Sequence, residues 1–459
     1  MEKYTLFWFR RDLRIEDNHG FFKALSGKNK VIPIFIFDPN ILDRLPREDA
    51  RVEFILLALG AIDIAMKRNR CNVGIYHGTP EAIFSGLVNQ YQIEEVICNE
   101  DYEPYANERD KRIKTFLSKK GIEFKAFKDQ VIFEKNEIVK DDGNPYKVYT
   151  PYSKKWLSNF NTKSVEEYPS ESLLINCYSE QELPKIKLDQ LGFKSSTVNQ
   201  PKYLFDNQII DNYESTRNFP YLNKTSRIGT ALRFGTISIR EVVKKAANRP
   251  NKTFLKELIW REFFMQILWH FPHTRNESFK PQYDRIEWRN NEKDFENWCS
   301  GNTGFPLVDA GMRELNKTGF MHNRVRMLVG SFLCKHLLID WRWGEAYFAE
   351  KLFDYEMSSN VGNWQWVAGC GADAAPYFRI FNPILQGKRF DPDGSYIKKF
   401  IPELEQLSSK YLFSPWEAPI EVLREANIEL GSDYPEPIVD LIKSRDRALE
   451  AFSTIRIKA

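Results

Sequence analysis

The chain lacks long apolar runs, paired cysteines and any large surplus of charge, and each shortage closes off a class of function. Leu6-Phe7-Trp8-Phe9 passes at once into Arg10-Arg11-Asp12, too short an apolar run for a signal peptide, and no later run is long enough to span a bilayer. Six cysteines, Cys71, Cys98, Cys177, Cys299, Cys334 and Cys370, are scattered without a CxxC pair, so neither a disulfide framework nor a metal site is expected. Lys plus Arg number 66 against 63 Asp plus Glu, and the resulting net charge of +3 is too small to announce nucleic acid by itself. Six scattered histidines offer no paired nucleophile, so His322 reads as structural rather than as a general base. No strand-like run is followed by GxGxxG or GxxxxGK[ST], which leaves a dinucleotide or P-loop function without a motif. A cytoplasmic enzyme in a reducing compartment is the expectation.

Aromatic residues, by contrast, are plentiful: 14% of the chain, with 11 Trp, 20 Tyr and 34 Phe. Their faces suit stacking on flavins, pterins and nucleobases, although most fill core. A length of 459 residues implies two domains. In the first 130 or so residues, the runs Tyr4–Phe9, Val31–Phe37, Asn72–Tyr76 and Glu95–Asn99 read as strands, separated by helical segments such as Arg51–Lys67 and Tyr105–Ser118. Such alternation predicts a doubly wound parallel sheet covered on both faces. Residues 131–200 read as an interdomain connection, rich in Ser, Pro, Glu and Lys from Ser164 onward and broken by Pro169, Pro184 and Pro201. Residues 201–459 read as helical, with apolar positions at helical spacing through Phe254–Phe271, Val308–Leu315 and Val325–Leu338. After Pro383 the composition stays mixed, so no long disordered tail is expected.

Charge is unevenly placed. Lys224, Arg227, Arg233, Arg240, Lys244, Lys245, Arg249, Lys252 and Lys256 face only Glu241 and Glu257 in their stretch, which suits either a phosphate-bearing partner or a solvated helical face. Glu257, Trp260 and Arg261 lie at i, i+3 and i+4, so one helical face presents a carboxylate, an aromatic plate and a guanidinium. An ion pair beside a core tryptophan would explain the same letters. Asn323, Arg326 and Met327 share a face by the same spacing, with Arg324 pointing elsewhere, and the two faces together suggest a polar pocket with apolar walls. Thr225-Ser226-Arg227-Ile228-Gly229-Thr230 offers hydroxyls, free N–H groups and a cation ahead of a helix, which suits a pyrophosphate and equally a plain N-cap. The run Asn360-Val361-Gly362-Asn363-Trp364-Gln365-Trp366, followed by Ala372-Asp373-Ala374-Ala375-Pro376-Tyr377-Phe378-Arg379, sets tryptophans beside an asparagine and an arginine, a mixture that a large aromatic ligand would satisfy.

From Phe7-Trp8-Phe9-Arg10-Arg11-Asp12-Leu13-Arg14-Ile15-Glu16-Asp17-Asn18 through Tyr434-Pro435-Glu436-Pro437, the motifs resemble those of the photolyase/cryptochrome family, most closely its class I cyclobutane pyrimidine dimer branch. The resemblance implies an α/β Rossmann-like antenna domain over 1–130 and an all-α domain holding FAD. It also implies light-driven electron transfer from reduced flavin to a flipped-out dimer. By the same resemblance Tyr213, Thr225, Ser226, Arg227, Ile228 and Gly229 match phosphate and ribityl contacts, and Arg261, Asn323, Arg326, Asp354, Glu356 and Asn360 surround the isoalloxazine. Glu257 would hydrogen-bond the damaged bases, with Asn323 and Met327 lining the lesion cavity and Trp260 and Trp366 walling it. Arg217, Arg324 and Arg379 would meet the DNA backbone, and Trp364, Trp341 and Trp288 would relay electrons to the flavin.

Related enzymes for (6-4) photoproducts carry histidines where this chain has Asn323 and Met327, so the cyclobutane lesion is favoured. Four departures from the family pattern stand out: Glu356 in place of an aspartate, Gly229-Thr230 in place of Ser-Pro, and Phe254 and Phe320 at positions often tryptophan. None deletes a group the chemistry needs. Glu103-Pro104-Tyr105 and Asn107-Glu108-Arg109-Asp110 match an antenna pocket that suits a deazaflavin or a methenyltetrahydrofolate, the choice being open. No metal is implied. Damaged DNA is the expected partner, the chain a monomer in the cytoplasm, associated with the nucleoid through DNA. A cryptochrome-like photoreceptor and a light-insensitive nucleic-acid-binding module are the alternatives; Asn360, in place of a carboxylate or thiol, weighs against the first.

Overall fold

Five strands with helices between them open the chain: β1 Tyr4–Phe9, β2 Lys30–Phe37, β3 Gly74–His77, β4 Ile93–Asn99 and β5 Glu123–Phe127. A computed structural model describes residues 2–199 and 202–457, so Pro201 lies outside the described residues. Every strand pair is parallel, in the order β3-β2-β1-β4-β5, with Leu6 opposite Ile32 on one side and Val96 on the other. The chain therefore winds from β1 out to β3 and resumes beside β1 at β4, which is the doubly wound arrangement expected. β1 is buried along its whole length, as a strand covered on both faces must be. β5 was not anticipated because Glu123 and Lys125 give it no apolar run; as an edge strand it is largely wet, and charge there discourages pairing with another sheet.

Helices α1 His19–Leu25, α2 Ala50–Lys67, α3 Pro80–Gln90 and α4 Pro104–Ser118 alternate with these strands. Asn18 starts α1 by accepting from the Phe21 N–H, and Pro104 opens α4 at the turn where its missing N–H costs nothing. The stretch 131–200 is not bare connection: it carries α5 Tyr149–Asn159 and several 3₁₀ turns. α6 Gly229–Phe234, α7 Ile239–Ala247 and α8 Thr253–His270 follow, then α9 Pro306–Thr318, α10 Asn323–Ser331, α11 Trp341–Lys351, α12 Met357–Ala368 and α13 Leu441–Ile457. The helix expected over 325–338 is α10 followed by a π-helical turn, Phe332–Leu337, that ends at Leu338 with φ +52°. All six residues of that turn are buried, Lys335 among them, so its apolar spacing could not reveal the widened turn.

Two compact units divide the chain. One comprises Met1–Tyr146, Thr150–Tyr203 and Ile228–Trp269; the other comprises Lys147–Tyr149, Leu204–Arg227 and His270–Ala459. The first is centred on the sheet, with Leu6, Trp8, Ile32, Ile34 and Val96 in one cluster. The second packs Trp298, Val329, Phe332, Trp341, Phe348 and Trp364 into a helical core. Among the described residues no helix is long and apolar enough to cross a membrane.

Candidate active site

In the second unit, α10, α11 and α12 enclose a cavity of about 610 Å³, solvent at its mouth included. Helical spacing delivers its lining. Asn323, Arg326, Met327 and Gly330 come from α10 and Asn360, Asn363, Trp364 and Val367 from α12, each set at steps of three and four. Trp366, Asp354 and Glu356 complete the polar and aromatic wall, so eight residues singled out from sequence (Asn323, Arg326, Met327, Asp354, Glu356, Asn360, Trp364 and Trp366) meet at one place.

Arg326 is held from both ends. Its Nε donates to the Met321 carbonyl at 2.7 Å, and its Nη2 reaches both oxygens of Asp354 at 3.1 and 3.0 Å. The pair itself carries no net charge and leaves guanidinium N–H groups for a ligand. Asn360 is oriented by a residue the sequence did not point to. Its Nδ2 donates to the Glu345 carbonyl at 3.0 Å and to Glu345 Oε1 at 2.9 Å, which consumes both amide hydrogens and leaves the carbonyl oxygen for the cavity. Burial pushes the Glu345 carboxyl up, and the hydrogen bond from Asn360 opposes the shift. Glu356 is buried at the start of α12, where its carbonyl accepts the Asn360 N–H and its carboxylate accepts from Ser359, so the longer side chain is accommodated. Phe348, Leu352 and Tyr355 also line the cavity. Phe348 is on α11, whereas Leu352 and Tyr355 lie in the turn that follows it, so no helix marks the three as one face.

A second group surrounds His322. Its Nδ1 accepts the Arg324 N–H at 3.2 Å and so caps α10, as a structural histidine would. Burial first, then the charges of Arg326, Arg324 and Arg227, push its pKa down to about 4, so the ring is neutral. Its Nε2 has no partner, nor has Nε of Arg227. Arg227 sits at φ +52°, an unusual conformation for a side-chain-bearing residue, with its guanidinium over the Phe320 ring at 4.4 Å. Ser226, just before it, is buried, and Ile228 and Gly229 open α6, a helix of only six residues. Two buried nitrogens without a protein partner, His322 Nε2 and Arg227 Nε, are the kind of groups an anionic ligand would satisfy. Tyr213 lies on the helix Asn207–Thr216 with Arg217 at its end, the Arg217 guanidinium 5.6 Å from the Tyr213 ring centre. Arg324 lies off the face that lines the cavity: it donates to Asn218 at 2.5 Å and lies over Phe390 at 4.4 Å. Arg379 is exposed, beside Phe378, which is 62% exposed.

Trp364 and Trp341 belong to the helical core, and Trp288, half-buried, packs against it. Trp364 is clamped where α11 passes. A Cβ at Gly344 would lie 2.2 Å from Trp364 Cη2 and 2.6 Å from Leu333 Cδ2. Gly344→Ala is therefore expected to lower the urea midpoint, at a cost of about 1–3 kcal/mol from overpacking, and to change the near-ultraviolet circular dichroism of the displaced indole. Unchanged values for both would contradict this packing.

The first unit carries the other predicted residues. Trp260 stacks on Phe264 with ring centres 5.5 Å apart, and Arg261 donates to the Gln130 carbonyl at 2.7 Å; Glu257 shares their helix, α8. The fold divides the basic stretch that precedes it. Arg240 is buried, paired with Asp17 at 3.0 Å and Asp129 at 2.9 Å, while Arg233 meets Glu103 at 3.2 Å and Lys244 meets Glu167 at 2.5 Å. Arg240 and Arg233 are thus committed within the fold, whereas the Lys244 pair is exposed and contributes little. Near the ends of β1 and β4, Arg11 also pairs with Glu103 at 3.1 Å, and Arg109 lies over Trp8 at 4.6 Å. In doubly wound sheets this point of the strand order, where β1 meets β4, is where ligands are taken. Among the described residues no group of three His, Cys, Asp or Glu side chains is placed to hold a metal ion.

Comparison with known proteins agrees with this geometry. Residues 254–454 match the model of the FAD binding domain of DNA photolyase, and residues 5–171 match the DNA photolyase model. The chain is 37% identical to the deoxyribodipyrimidine photo-lyase of Agrobacterium fabrum over 98% of each chain. Its fold is similar to that of a bacterial class III photolyase from Agrobacterium tumefaciens, with a TM-score of 0.89 and 35% identity, covering 99% of this chain and 98% of that one. An archaeal photolyase from Sulfolobus tokodaii, solved with two FAD molecules, matches with a TM-score of 0.79 and 32% identity, covering 98% of this chain and 100% of that one. The class I expectation is narrower than these matches reach.

Proposed function

Because the chain belongs to the DNA photolyase family, we propose that it is a deoxyribodipyrimidine photo-lyase, a light-driven DNA repair enzyme that splits cyclobutane pyrimidine dimers with reduced FAD. The observation that carries this reading is the closure of Asn323, Arg326, Asp354 and Asn360 around one cavity. When bound, the reduced flavin supplies an electron under blue or near-ultraviolet light and recovers it after the ring has opened.

In this reading Asn360 offers its carbonyl oxygen to the flavin's reactive ring nitrogen, and Glu345 prevents the amide from turning over. Arg326 and Asp354 flank the isoalloxazine as a neutral pair, with Arg261 contributing a further contact and Glu356 a buried carboxyl at the helix start. Tyr213, Thr225, Ser226, Arg227, Ile228 and Gly229 hold phosphate and ribityl groups. Glu257 hydrogen-bonds the damaged bases, Asn323 and Met327 line their cavity, and Trp260 and Trp366 stack on them. Stacking at roughly 1–3 kcal/mol per base offsets the few kcal/mol that flipping costs. Arg217, Arg324 and Arg379 contact backbone phosphates, each contact steepening the salt dependence. Trp288, Trp341 and Trp364 carry electrons inward when the flavin is oxidised. The chain works as a monomer in the cytoplasm, close to DNA, and an antenna chromophore occupies the crevice beside Glu103.

Blue-light illumination of an oligonucleotide with one thymine cyclobutane dimer, against a dark control and a matched (6-4) lesion, tests the reading. Light-dependent restoration of the dimer alone is expected. A flavin-replete, reduced protein that restores neither lesion would move the chain to the photoreceptor class.

A further inference from the structure

We propose that Glu262 is a positioning residue for damaged DNA, acting through α8 to fix where Glu257 and Trp260 stand; the inference rests on the repair reading above. Successive residues turn by about 100° around a helix, so Glu257, Trp260, Arg261 and Phe264 fall in one arc of α8 while Glu262 and Gln266 fall in the opposite arc. One arc is the face that meets the substrate. The other, joined by Arg261 from the edge of the first, is a clasp.

Four donors converge on the Glu262 carboxylate. Oε1 accepts from Trp156 Nε1 at 2.7 Å, the Tyr152 hydroxyl at 3.2 Å and the Phe133 N–H at 3.3 Å, and Oε2 accepts from the Ile132 N–H at 2.7 Å. One turn along, Gln266 Nε2 donates to the Phe133 and Glu134 carbonyls at 3.4 and 3.2 Å. Arg261 adds its bond to Gln130. Arg261, Glu262 and Gln266 thus grip the backbone of residues 130–134, and Glu262 ties that segment to α5 through Tyr152 and Trp156. Glu262 is 3% exposed, and Tyr152, Trp156 and Ile132 are no more accessible.

A leucine would fill this volume at lower cost, because a buried carboxyl without a cation is expensive. Among the described residues the partners of Glu262 are all neutral donors. What four donors at fixed angles provide and an apolar side chain cannot is direction: they set the rotation and the height of α8 against α5 and the 130–134 segment. Burial pushes the carboxyl up to about 7 despite those bonds, a sign of how far desolvation is tolerated to keep the clasp.

Glu262→Gln keeps the shape but turns an amide donor toward one of the existing donors. In the dark, the Kd of the FAD-loaded full chain for an oligonucleotide carrying one thymine dimer is expected to rise about tenfold. Repair per absorbed photon at saturating DNA and the flavin absorption spectrum are expected to match the wild type, so KM changes while kcat does not. Tyr152→Phe removes a single donor and should move Kd the same way by less. A Glu262→Gln chain with wild-type Kd overturns the proposal, as does one that loses affinity only in proportion to lost flavin. If that variant does not fold, a wild-type Kd for Tyr152→Phe overturns it instead. A wild-type chain that binds the dimer but leaves it unrepaired in light sinks the repair reading alone, since the dark affinities still decide the role of Glu262.

Discussion

Replacing Asn360 by Asp is expected to weaken the hold on fully reduced FAD by about a hundredfold, the ~3 kcal/mol by which an uncompensated buried charge exceeds a satisfied polar group. Both amide hydrogens of Asn360 are committed to Glu345. Aspartate has neither. It would stand at hydrogen-bond distance from a carboxyl that burial already pushes up, and two carboxyl groups that close cannot both ionise. They would share one proton, and the oxygen that Asn360 offers the cavity would become part of a charged pair facing an anionic reduced flavin. A redox titration followed by flavin absorbance checks this, with Asn360→Leu as the neutral control. Asp and Leu variants that hold reduced flavin equally well would remove the charge argument.

Acidification is expected to release α13 from its unit before the surrounding helices loosen. His336 is 3% exposed, with Nδ1 at 2.8 Å from the Ser444 hydroxyl on α13 and Nε2 at 3.1 Å from the Phe381 carbonyl, while Arg447 of α13 donates to the His336 carbonyl at 2.6 Å. Burial pulls its pKa down to about 4, the Phe381 carbonyl opposing and the Arg447 charge assisting. The fold holds the neutral ring, whereas the unfolded chain takes up a proton near pH 6.5. This contribution is therefore intact above about pH 6.5 and is lost as the pH falls toward 4, amounting to ~3 kcal/mol for a ring held that far from its ordinary value. His322 acts in the same direction. Asp391, pushed up to about 6, and Glu262, pushed up to about 7, act in the opposite one, because the folded protein binds their protons more readily. Global unfolding curves are flattened by this opposition, so the test is local: amide protection factors in Leu441–Phe452, taken relative to the intrinsic exchange rate at each pH, should fall between pH 6.5 and 4.5 more than those in α9. His336→Gln, which keeps a donor and an acceptor, should remove that excess. An equal fall in both helices would count against the His336 switch.

Much of the fold was legible because its signals are local. β1 to β4 stand out as short β-branched and aromatic runs, and their alternation with helices leaves a parallel sheet as the consistent arrangement. β5 was not, since an edge strand needs no apolar run. The turn after α10 escaped notice for a different reason: a π-helical widening alters hydrogen-bond spacing without altering which residues are apolar.

The site divides along the same line. That Asn323, Arg326 and Met327 share a face, and that Asn360 and Trp364 share another, follows from the pitch of a helix, which any stretch of sequence carries within itself. By its own motifs the sequence also determined the family and the kind of ligand the helical half holds. Only the tertiary structure decided which way the Asn360 amide points, because Glu345 approaches from a different helix. It alone separated Arg240, spent on Asp17 and Asp129, from arginines left for a ligand, and turned Glu262 from one more acidic residue of a helix into the anchor of four donors. Partners far apart in sequence leave no period to read, and a buried polar group takes its orientation from whichever partners the packing brings within hydrogen-bond reach.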